Sequence, residues 1–340
     1  MLASLVTMTD FKRYRPEDAG GMDKNAKIYI TKHEGMIGSA VMRHLRQSGH
    51  KRLLVRADDE LDLTDQGAVF RFLAEEKPDY IFLTSAKVGG ILANDRYPAE
   101  FIYQNIQSQS NVIHAAWQAG VKKMLFFGSS CIYPKECPQP MKEDYLLTGK
   151  LEFTSEPYAI AKIAGLKMCQ AYNRQYGTNF ITAIAADVYG PDDDFDPETG
   201  HFLPALMRRI HEAKTGNQDK VIVWGSGAPR RECLHIDDLA DAAIFLMNED
   251  KGSEVINIGS GNDFSIRELA YILAEAIGYE GKIVFDKSKP DGAPRKLLDN
   301  SKLKELGWSP RIHLEAGIKR TYQWYKKHFP SPEMRGVISR

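Results

Sequence analysis

The sequence predicts an α/β protein with a doubly wound parallel sheet and a smaller mixed α/β domain. Short apolar runs alternate with longer segments of helical periodicity, and this alternation favours parallel strands joined by right-handed crossovers. A chain of 340 residues is long enough to form two domains. After Tyr189-Gly190-Pro191 the chain becomes polar and proline-bearing, which indicates an exit from the first domain.

Individual elements follow from the apolar patterns. Compact apolar runs predict strands, and they lie at 27–31, 52–56, 79–84 and 122–128. Segments with helical periodicity predict helices, and they lie at 36–48, 98–119, 158–176 and 265–279. We expect a dinucleotide-binding domain at 27–190 with 232–258, and a substrate-binding domain at 191–231 with 259–331. We expect residues 1–26 to form a disordered extension without the features of a signal peptide.

The composition indicates a cytoplasmic metabolic enzyme. Lys plus Arg and Asp plus Glu are both 45, so no overall charge draws the chain to nucleic acid or to an anionic membrane. No apolar run approaches the roughly 20 residues of a membrane span. The four cysteines have neither a disulfide framework nor paired metal-ligand spacing, so we expect a reducing compartment and no metal site.

Tyr158 and Lys162 are the most informative pair of residues. They are spaced i, i+4 in a predicted helix, so their side chains leave the same face as neighbours. A lysine ammonium favours the phenolate, so we expect it to lower the pKa of the tyrosine and to permit proton exchange with a carbonyl or an alcohol. A serine pair, Ser129-Ser130, ends the preceding predicted strand and supplies a hydroxyl for the same substrate oxygen. Serine, tyrosine and lysine in this order resemble the catalytic set of the short-chain dehydrogenases/reductases.

The first strand–helix turn contains Lys32, Gly35, Met36, Ile37 and Gly38. In a Rossmann-type fold, the pyrophosphate of a dinucleotide lies on the helix amides of this turn. Extended members of the short-chain family have three glycines here, and this chain has a lysine at the first position. If the backbone there is left-handed, the lysine costs about 1–2 kcal/mol.

Further segments resemble the GDP-L-fucose synthase family within the extended short-chain dehydrogenases/reductases. They extend from about residue 27 to residue 328 and include TSAKVGGILAN (84–94), GSSCIYP (128–134), EPYAIAKIAGLK (156–167), VWGSGAPRRECLHIDD (223–238) and SKPDGAPRKLLD (288–299). The resemblance implies a GDP-4-keto-6-deoxy-mannose 3,5-epimerase/4-reductase that uses NADP(H) and forms a homodimer through 98–119 and 158–176.

The resemblance also implies roles for five catalytic residues. Cys131 matches the family's base and His201 matches its acid for the two epimerisations; a thiolate base needs a depressed pKa, which nearby cations can provide. Tyr158 donates a proton during reduction, Lys162 holds the nicotinamide ribose, and Ser129 hydrogen-bonds the C4 oxygen. In HIDD (235–238), we expect Asp237 to be a helix N-cap rather than a catalyst.

Binding residues are carried over in the same way. The cofactor contacts implied are Lys32, Gly35, Met36, Ile37, Gly38, Asp58, Ser130, Lys162, Asp187 and His201. The substrate contacts implied are Arg209, Trp224, Arg231 and Asp291, with the arginines suited to a diphosphate.

Three acidic residues depart from the family pattern around the cofactor. Glu34 and Asp58 stand where the family has arginines for the NADP 2′-phosphate, and an acid there is typical of NAD sites. Asp187 replaces an amide that can donate a hydrogen bond. NAD(H) is therefore a further option for the cofactor. Two alternatives stay open beside GDP-L-fucose synthesis with NADP(H). One is a colitose-type GDP-4-keto-3,6-dideoxy-sugar epimerase/reductase, and the other is a nucleotide-sugar-binding protein with impaired cofactor use.

Overall fold

The computed structural model describes residues 21–249, 255–289 and 291–329. Residues 1–20, which include the apolar opening stretch, lie outside this part of the chain. The strands of the described residues are β1 (Lys27–Ile30), β2 (Arg52–Leu54), β3 (Tyr80–Leu83), β4 (Lys123–Ser129), β5 (Phe180–Ala185), β6 (Asp187–Tyr189), β7 (Lys220–Trp224), β8 (Arg230–His235), β9 (Val255–Ile258), β10 (Asp263–Ser265), β11 (Lys282–Asp286) and β12 (Arg295–Lys296). The helices are α1 (Met36–Gln47), α2 (Gln66–Glu76), α3 (Ile91–Arg96), α4 (Pro98–Gln118), α5 (Glu156–Tyr176), α6 (Phe202–Thr215), α7 (Ile236–Asn248), α8 (Ile266–Ile277), α9 (Ser301–Glu305) and α10 (Leu314–His328).

The main sheet has the order β2-β1-β3-β4-β5-β9, and its neighbouring strands pair in parallel. The chain order reverses at β1, which lies between β2 and β3. In an open parallel sheet, ligands bind outside the carboxyl ends of the strands at such a reversal. The predicted Rossmann-type fold is confirmed, and the crevice at this reversal lies outside the carboxyl ends of β1 and β3.

The predicted strands and helices of the first domain agree with the structure to within a few residues. Their apolar runs are almost continuous because parallel strands are buried on both faces, as in β5, where all six residues are buried. Helix α5 begins with Pro157 in its first turn and ends at Gly177, which has φ 68°. Proline near the start and a left-handed glycine at the end are the expected helix boundaries.

Two smaller sheets lie beyond the main one. Strand β8 pairs with β6 and β12 in parallel and with β10 in antiparallel orientation. Strand β7 pairs in parallel with β11. This mixture of helices and short mixed sheets agrees with the mixed α/β character predicted for the later part of the chain.

Buried apolar side chains form two clusters. The larger cluster surrounds the main sheet and includes Leu298, Leu303 and Trp308, which lie late in the chain. The smaller cluster joins α6, β7, α8 and α10. Met22 and Ala26 are buried in the larger cluster, so these two residues belong to the packed core rather than to a disordered extension. The domain boundaries themselves stay a prediction.

Within residues 21–249, 255–289 and 291–329, no helix is both long and apolar enough to cross a membrane.

Candidate active site

The carboxyl end of β4 positions the first candidate catalytic residues. Ser129 is the last residue of this strand, and a short 3-10 helix, Ser130–Ile132, begins directly after it. The backbone N–H of Cys131 donates to Oγ of Ser129 over 3.5 Å. The tight turn therefore places the Ser129 hydroxyl and the Cys131 thiol side by side at the edge where the crevice opens.

Helix α5 brings Tyr158 and Lys162 to the same strand. Nζ of Lys162 donates to the carbonyl oxygen of Phe127, two residues before Ser129, over 2.9 Å. The same Nζ lies 5.9 Å from the centre of the Tyr158 ring. The Tyr158 ring also packs edge-on against Phe101 of α4, with 6.3 Å between the ring centres. The i, i+4 pair therefore shares one face of the helix, as its spacing predicts.

Burial controls the protonation of this pair. It raises the pKa of Tyr158 well above its usual value, with a further rise from Cys131. It lowers the pKa of Lys162 to about 8. The expectation of a lowered tyrosine pKa is wrong for this structure, because loss of hydration disfavours the phenolate. A neutral phenol is the form that can donate a proton.

Burial also has the largest effect on the pKa of the Cys131 thiol. Burial raises its pKa, and the negative charge of Asp187 adds to the rise. Lys296, the hydroxyl of Ser129 and Lys162 oppose it, in that order. The expectation of a depressed pKa is wrong here, because desolvation outweighs the cationic neighbours. Any thiolate at Cys131 therefore depends on the two ammonium groups and on the Ser129 hydroxyl.

Lys296 was missed by sequence reasoning. It ends β12, whose register places it opposite Arg231 of β8, and it exerts the largest favourable charge effect on the Cys131 thiolate. The segment KPDGAPRK (289–296) contains it, but no local pattern connects it with a cysteine about 165 residues earlier.

Glu232 is a second missed residue. It is 2% exposed and accepts hydrogen bonds from the backbone N–H of Gly261 over 2.6 Å and of Leu298 over 2.8 Å. Burial raises its pKa to about 7, although these two hydrogen bonds favour the carboxylate. Its carboxyl therefore ties two loops to β8, next to the strand that carries Lys296.

His201 lies at the entrance of α6. It is exposed and occupies the N-cap position without a side-chain hydrogen bond to the helix. The loop before His201 is held to the start of α3, because the N–H of Gly90 donates to the carbonyl oxygen of Thr199 over 2.8 Å. Among the described residues, no hydrogen bond or ion pair joins His201 to Cys131 or Tyr158. Its role as acid stays a prediction.

The turn after β1 has the shape required of a phosphate cradle. Lys32 has φ 44°, so the first position of the motif is left-handed despite its side chain. A Cβ at Gly38 would lie 2.3 Å from the carbonyl oxygen of Lys32. Only glycine, which has no Cβ, avoids this steric clash. Gly35 is the N-cap of α1, and the first helical turn, which begins with Met36 and Ile37, carries no acidic residue. The Asp192 carboxylate does approach this turn, because its Oδ2 accepts from Oγ of Ser39 over 2.9 Å. The N-terminal amides of the helix are nevertheless groups that suit an anionic pyrophosphate.

A cleft of about 330 Å³ continues from this turn. Its lining includes Lys32, Asp58, Ser85 and Lys87. Thr31 supports the turn, since its Oγ1 accepts from the N–H of Ser85 over 2.8 Å. The cleft lies at the carboxyl ends of β1 and β3, and its size and position fit the adenosine half of a dinucleotide.

The two acids near this cleft differ in position. Asp58 lines it, whereas the Glu34 side chain is 73% exposed and approaches His33 at 3.9 Å. Arg56 does not replace the missing arginines, because it pairs with Glu76 at 3.1 Å. Asp187, at the start of β6, is exposed. Ser130, the first residue of the 3-10 helix after β4, is buried, with 4% of its surface exposed.

The predicted substrate residues lie in the later part of the chain, on α6, β7, β8 and the loop before β12. Arg209 of α6 donates from Nη1 to the carbonyl oxygen of Ile222 over 3.3 Å, and Trp224 of β7 is 55% exposed. Arg231 is tied to the carbonyl oxygen of Ala293 over 2.7 Å. Asp291 accepts from Oγ of Ser226 over 2.7 Å, which holds the pKa of its carboxyl below the usual value.

The interpretation of Asp237 as an N-cap is wrong. His235 occupies that position and its Nδ1 accepts from the N–H of Asp237 over 3.2 Å. The Asp237 carboxylate instead contacts His44 at 3.3 Å and Arg43 at 2.5 Å, and both contacts lower its pKa. It therefore fastens α7 to α1, away from the catalytic residues.

Residues 28–259 match the model of the NAD dependent epimerase/dehydratase family. A "Putative GDP-L-fucose synthase 2" from Arabidopsis thaliana is 56% identical over 304 residues, which are 89% of this chain and 93% of that one. The GDP-L-fucose synthase of Escherichia coli strain K12 is 53% identical over 308 residues, covering 88% and 96% of the two chains. A GDP-L-fucose synthetase from Naegleria fowleri, solved with NADP, superimposes with a TM-score of 0.86 at 27% identity, over 92% of this chain and 97% of that one.

These likenesses extend over nearly the whole chain and agree with the parallel sheet, the cradle after β1 and the Tyr158–Lys162 pair. The identities lie far above what a shared fold alone produces. The chain therefore belongs to the NAD dependent epimerase/dehydratase family, and within it to the GDP-L-fucose synthases.

Proposed function

We propose that the protein makes GDP-L-fucose: it epimerises GDP-4-keto-6-deoxy-D-mannose at C3 and C5 and then reduces C4. The observation that supports this most directly is the grouping of Ser129, Cys131, Tyr158 and Lys162 at the carboxyl end of β4. Reduction of a ketone needs the hydroxyl, the phenol and the ammonium. A 4-epimerase or a 4,6-dehydratase has no need of the cysteine, whereas inversion at C3 and C5 has.

Epimerisation uses the ketone at C4. The carbonyl acidifies the protons at C3 and C5, because their removal leaves an enolate. The Cys131 thiolate takes each proton, Ser129 Oγ hydrogen-bonds the enolate oxygen, and His201 returns a proton from the opposite face of the ring. Each exchange breaks one C–H bond and forms another, so no oxidant is required. Stabilisation of charge on one oxygen serves both centres.

Reduction follows at the same oxygen. A bound nicotinamide dinucleotide supplies the hydride that C4 receives. The phenol of Tyr158 donates its proton to the C4 oxygen, which becomes a hydroxyl, while Ser129 holds that oxygen in place. Lys162 would hold the nicotinamide ribose, and its ammonium stabilises the phenolate that remains. Burial keeps Tyr158 protonated until this step.

For the cofactor we propose NADP(H), bound less tightly than arginines would allow. The glycine at position 38 and the amides of α1 suit the pyrophosphate that NADP and NAD share. Asp58 lines the cleft on the adenosine side, and its charge repels a 2′-phosphate. NAD(H) therefore competes better here than in a site with arginines.

A homodimer through α4 and α5 is also proposed. Tyr103 of α4 is 65% exposed and Ile160 of α5 is 41% exposed, and the two helices pack side by side. Nearby, Phe153 is 78% exposed. Large exposed apolar side chains on neighbouring elements favour burial against a second copy.

One experiment tests the proposed function. The purified protein is incubated with GDP-4-keto-6-deoxy-mannose and NADPH or NADH, and the sugar product is identified by NMR. GDP-L-fucose is expected. A product that keeps the original C3 and C5 configuration would refute the epimerase activity. Faster conversion of a GDP-4-keto-3,6-dideoxy sugar would favour the colitose-type enzyme, and binding of substrate without any product would favour a binding protein.

A further inference from the structure

The two-stranded sheet of β7 and β11 has one buried face and one open face. Val221 and Val223 of β7 are buried in the smaller core, whereas Ile222 and Trp224 alternate with them and are 46% and 55% exposed. On β11, Val284 is 41% exposed. Alternation along a strand places such residues together on one side. The sheet therefore presents a flat apolar platform to solvent.

An acidic residue borders this platform. The parallel register pairs Ile222 with Val284 and Trp224 with Asp286, so the Asp286 carboxylate lies on the open face beside the indole. Oδ1 of Asp286 accepts from the N–H of Ser288 over 3.0 Å and from its Oγ over 2.6 Å. These two bonds fix the carboxylate, and Oδ2 has no hydrogen bond within the described residues.

Two cationic side chains, Lys289 and Arg209, also lie next to the platform. Nζ of Lys289 lies 5.3 Å from the centre of the Trp224 ring. Arg209 reaches Ile222, and its buried Nε has no partner in the described part of the chain. Together with Trp224 and Asp286, Arg209 lines a cleft of about 880 Å³, a size typical of ligand sites. The cleft thus combines an aromatic surface, a fixed acceptor and positive charge.

We infer that this cleft receives the nucleobase of the sugar nucleotide and that Asp286 selects guanine by accepting hydrogen bonds from its N1–H and N2 amino group. The inference rests on the proposed use of a GDP-sugar. An ionised carboxylate only accepts hydrogen bonds, and its free Oδ2 offers about two lone-pair sites, so this oxygen can accept from the two adjacent donors of guanine. Adenine places an acceptor beside its single amino donor, and uracil places one donor between two carbonyl oxygens. The indole of Trp224 supplies a face for stacking.

Binding of nucleoside diphosphates tests the assignment without any turnover. Isothermal titration measures the Kd of GDP, IDP and ADP, where IDP is GDP without the N2 amino group. The unmodified protein should bind GDP about tenfold to a hundredfold more tightly than IDP, the effect of one hydrogen bond to a charged acceptor. Asp286→Asn should bring the ratio of the two Kd values close to one, because the new amide opposes one of the two donors. The ratio cancels any change in phosphate binding.

Two further variants complete the test. Asp219→Asn removes another carboxylate that lines the cleft and should leave the GDP to IDP ratio unchanged. Ser288→Ala keeps the Asp286 carboxylate but loses its hydroxyl bond, so the ratio should fall only in part. An unchanged ratio in Asp286→Asn, or a loss of selectivity in Asp219→Asn, would overturn the inference while GDP binding and turnover continue. Failure of the unmodified protein to bind GDP at all would instead refute the proposed function.

Discussion

Nζ of Lys162 donates a hydrogen bond to the carbonyl oxygen of Phe127 and so fixes α5 to β4, two residues before Ser129. The bond holds an ammonium in a buried position, where its pKa falls to about 8. It also sets the distance between the two elements that carry the hydroxyl and the phenol. This contact therefore joins the two elements of the reductive site, and burial at the same place governs the charge of the ammonium.

The first prediction concerns pH. Because the pKa of Lys162 is lowered to about 8, its ammonium is lost as pH rises through that value. The rate of ketone reduction should therefore fall about tenfold between pH 7 and 9. Stopped-flow measurement of NADPH oxidation gives the profile. Lys162→Met should be slow throughout and nearly flat. Lys167→Met, an exposed change on the same helix, should keep the original profile; a flat profile in the unmodified protein would contradict the prediction.

Cys131→Ser should separate the two chemistries. Serine is too weak an acid to act as base, so epimerisation should stop while Ser129, Tyr158 and Lys162 still permit reduction. The product should be a GDP-6-deoxy sugar of the original configuration. Deuterium uptake from D2O at C3 and C5, measured by NMR, checks this directly. Cys137→Ser changes a free cysteine outside the site and should take up deuterium normally. Normal uptake by Cys131→Ser would rule out the cysteine as base.

Tyr158→Phe should slow reduction by roughly 10²–10⁴, the usual contribution of a positioned acid. The ring and its packing against Phe101 stay, so substrate and cofactor binding should change little. Single-turnover oxidation of NADPH measures the step. Tyr176→Phe, at the far end of α5, serves as a control because its ring stacks on Trp117 away from the site. Unaltered turnover by Tyr158→Phe would mean that another group donates the proton.

Asp58→Arg should raise NADPH affinity more than NADH affinity. Each exposed repulsion is worth about 1 kcal/mol, and addition of Glu34→Arg should bring the total gain to tenfold or a few hundredfold. Most of the gain should come from position 58, because Asp58 lines the cleft and Glu34 does not. Fluorescence titration at low and high salt measures both affinities, and the gain should shrink with salt. Asp59→Arg is the matched control. Equal gains for both cofactors would place Asp58 away from the 2′-phosphate.

Glu232 should make stability depend on pH. Its pKa is raised to about 7 in the folded protein, above the usual value near 4.5. Its contribution is therefore fully present below about pH 4.5 and is lost as pH rises towards 7. Glu232→Gln should remove that part of the slope of unfolding free energy against pH, as measured by urea denaturation. Glu268→Gln should remove a slope of the opposite sign, because a hydrogen bond from the Ser265 backbone lowers the pKa of Glu268. An unchanged slope in Glu232→Gln would show that the carboxyl is ionised throughout.

The fold could be predicted where local patterns determine it. The strand at 27–31 and the helix at 98–119 are apolar or periodic enough to be located to within a few residues. The Tyr158–Lys162 pair also follows from its spacing, because it depends on near neighbours. The sequence raised a left-handed backbone at Lys32 only as a condition, and the structure shows it. Protonation does not follow in this way. The pKa values of Tyr158 and Cys131 depend on how deeply tertiary packing buries the two side chains. That burial cannot be read from the neighbouring residues in the sequence.

Long-range contacts account for the rest. Lys296 acts on Cys131 through the pairing of β12 with β8, and Glu232 joins Gly261 to Leu298 across separate loops. Asp237 resembles an N-cap in its local sequence, but Arg43 of α1 competes for the carboxylate. Local patterns identify these residues only as charged positions; their partners become known once the chain is folded.

The turn after β1 has an uneven tolerance for side chains. Its first position accepts a lysine at the cost of a left-handed backbone, whereas its last cannot accept even a methyl group, since a Cβ at Gly38 would overlap the Lys32 carbonyl oxygen. In terms of substitution, the first position tolerates a side chain and the last does not. A positive charge at the first position can therefore be added or removed without any change to the helix that follows the turn.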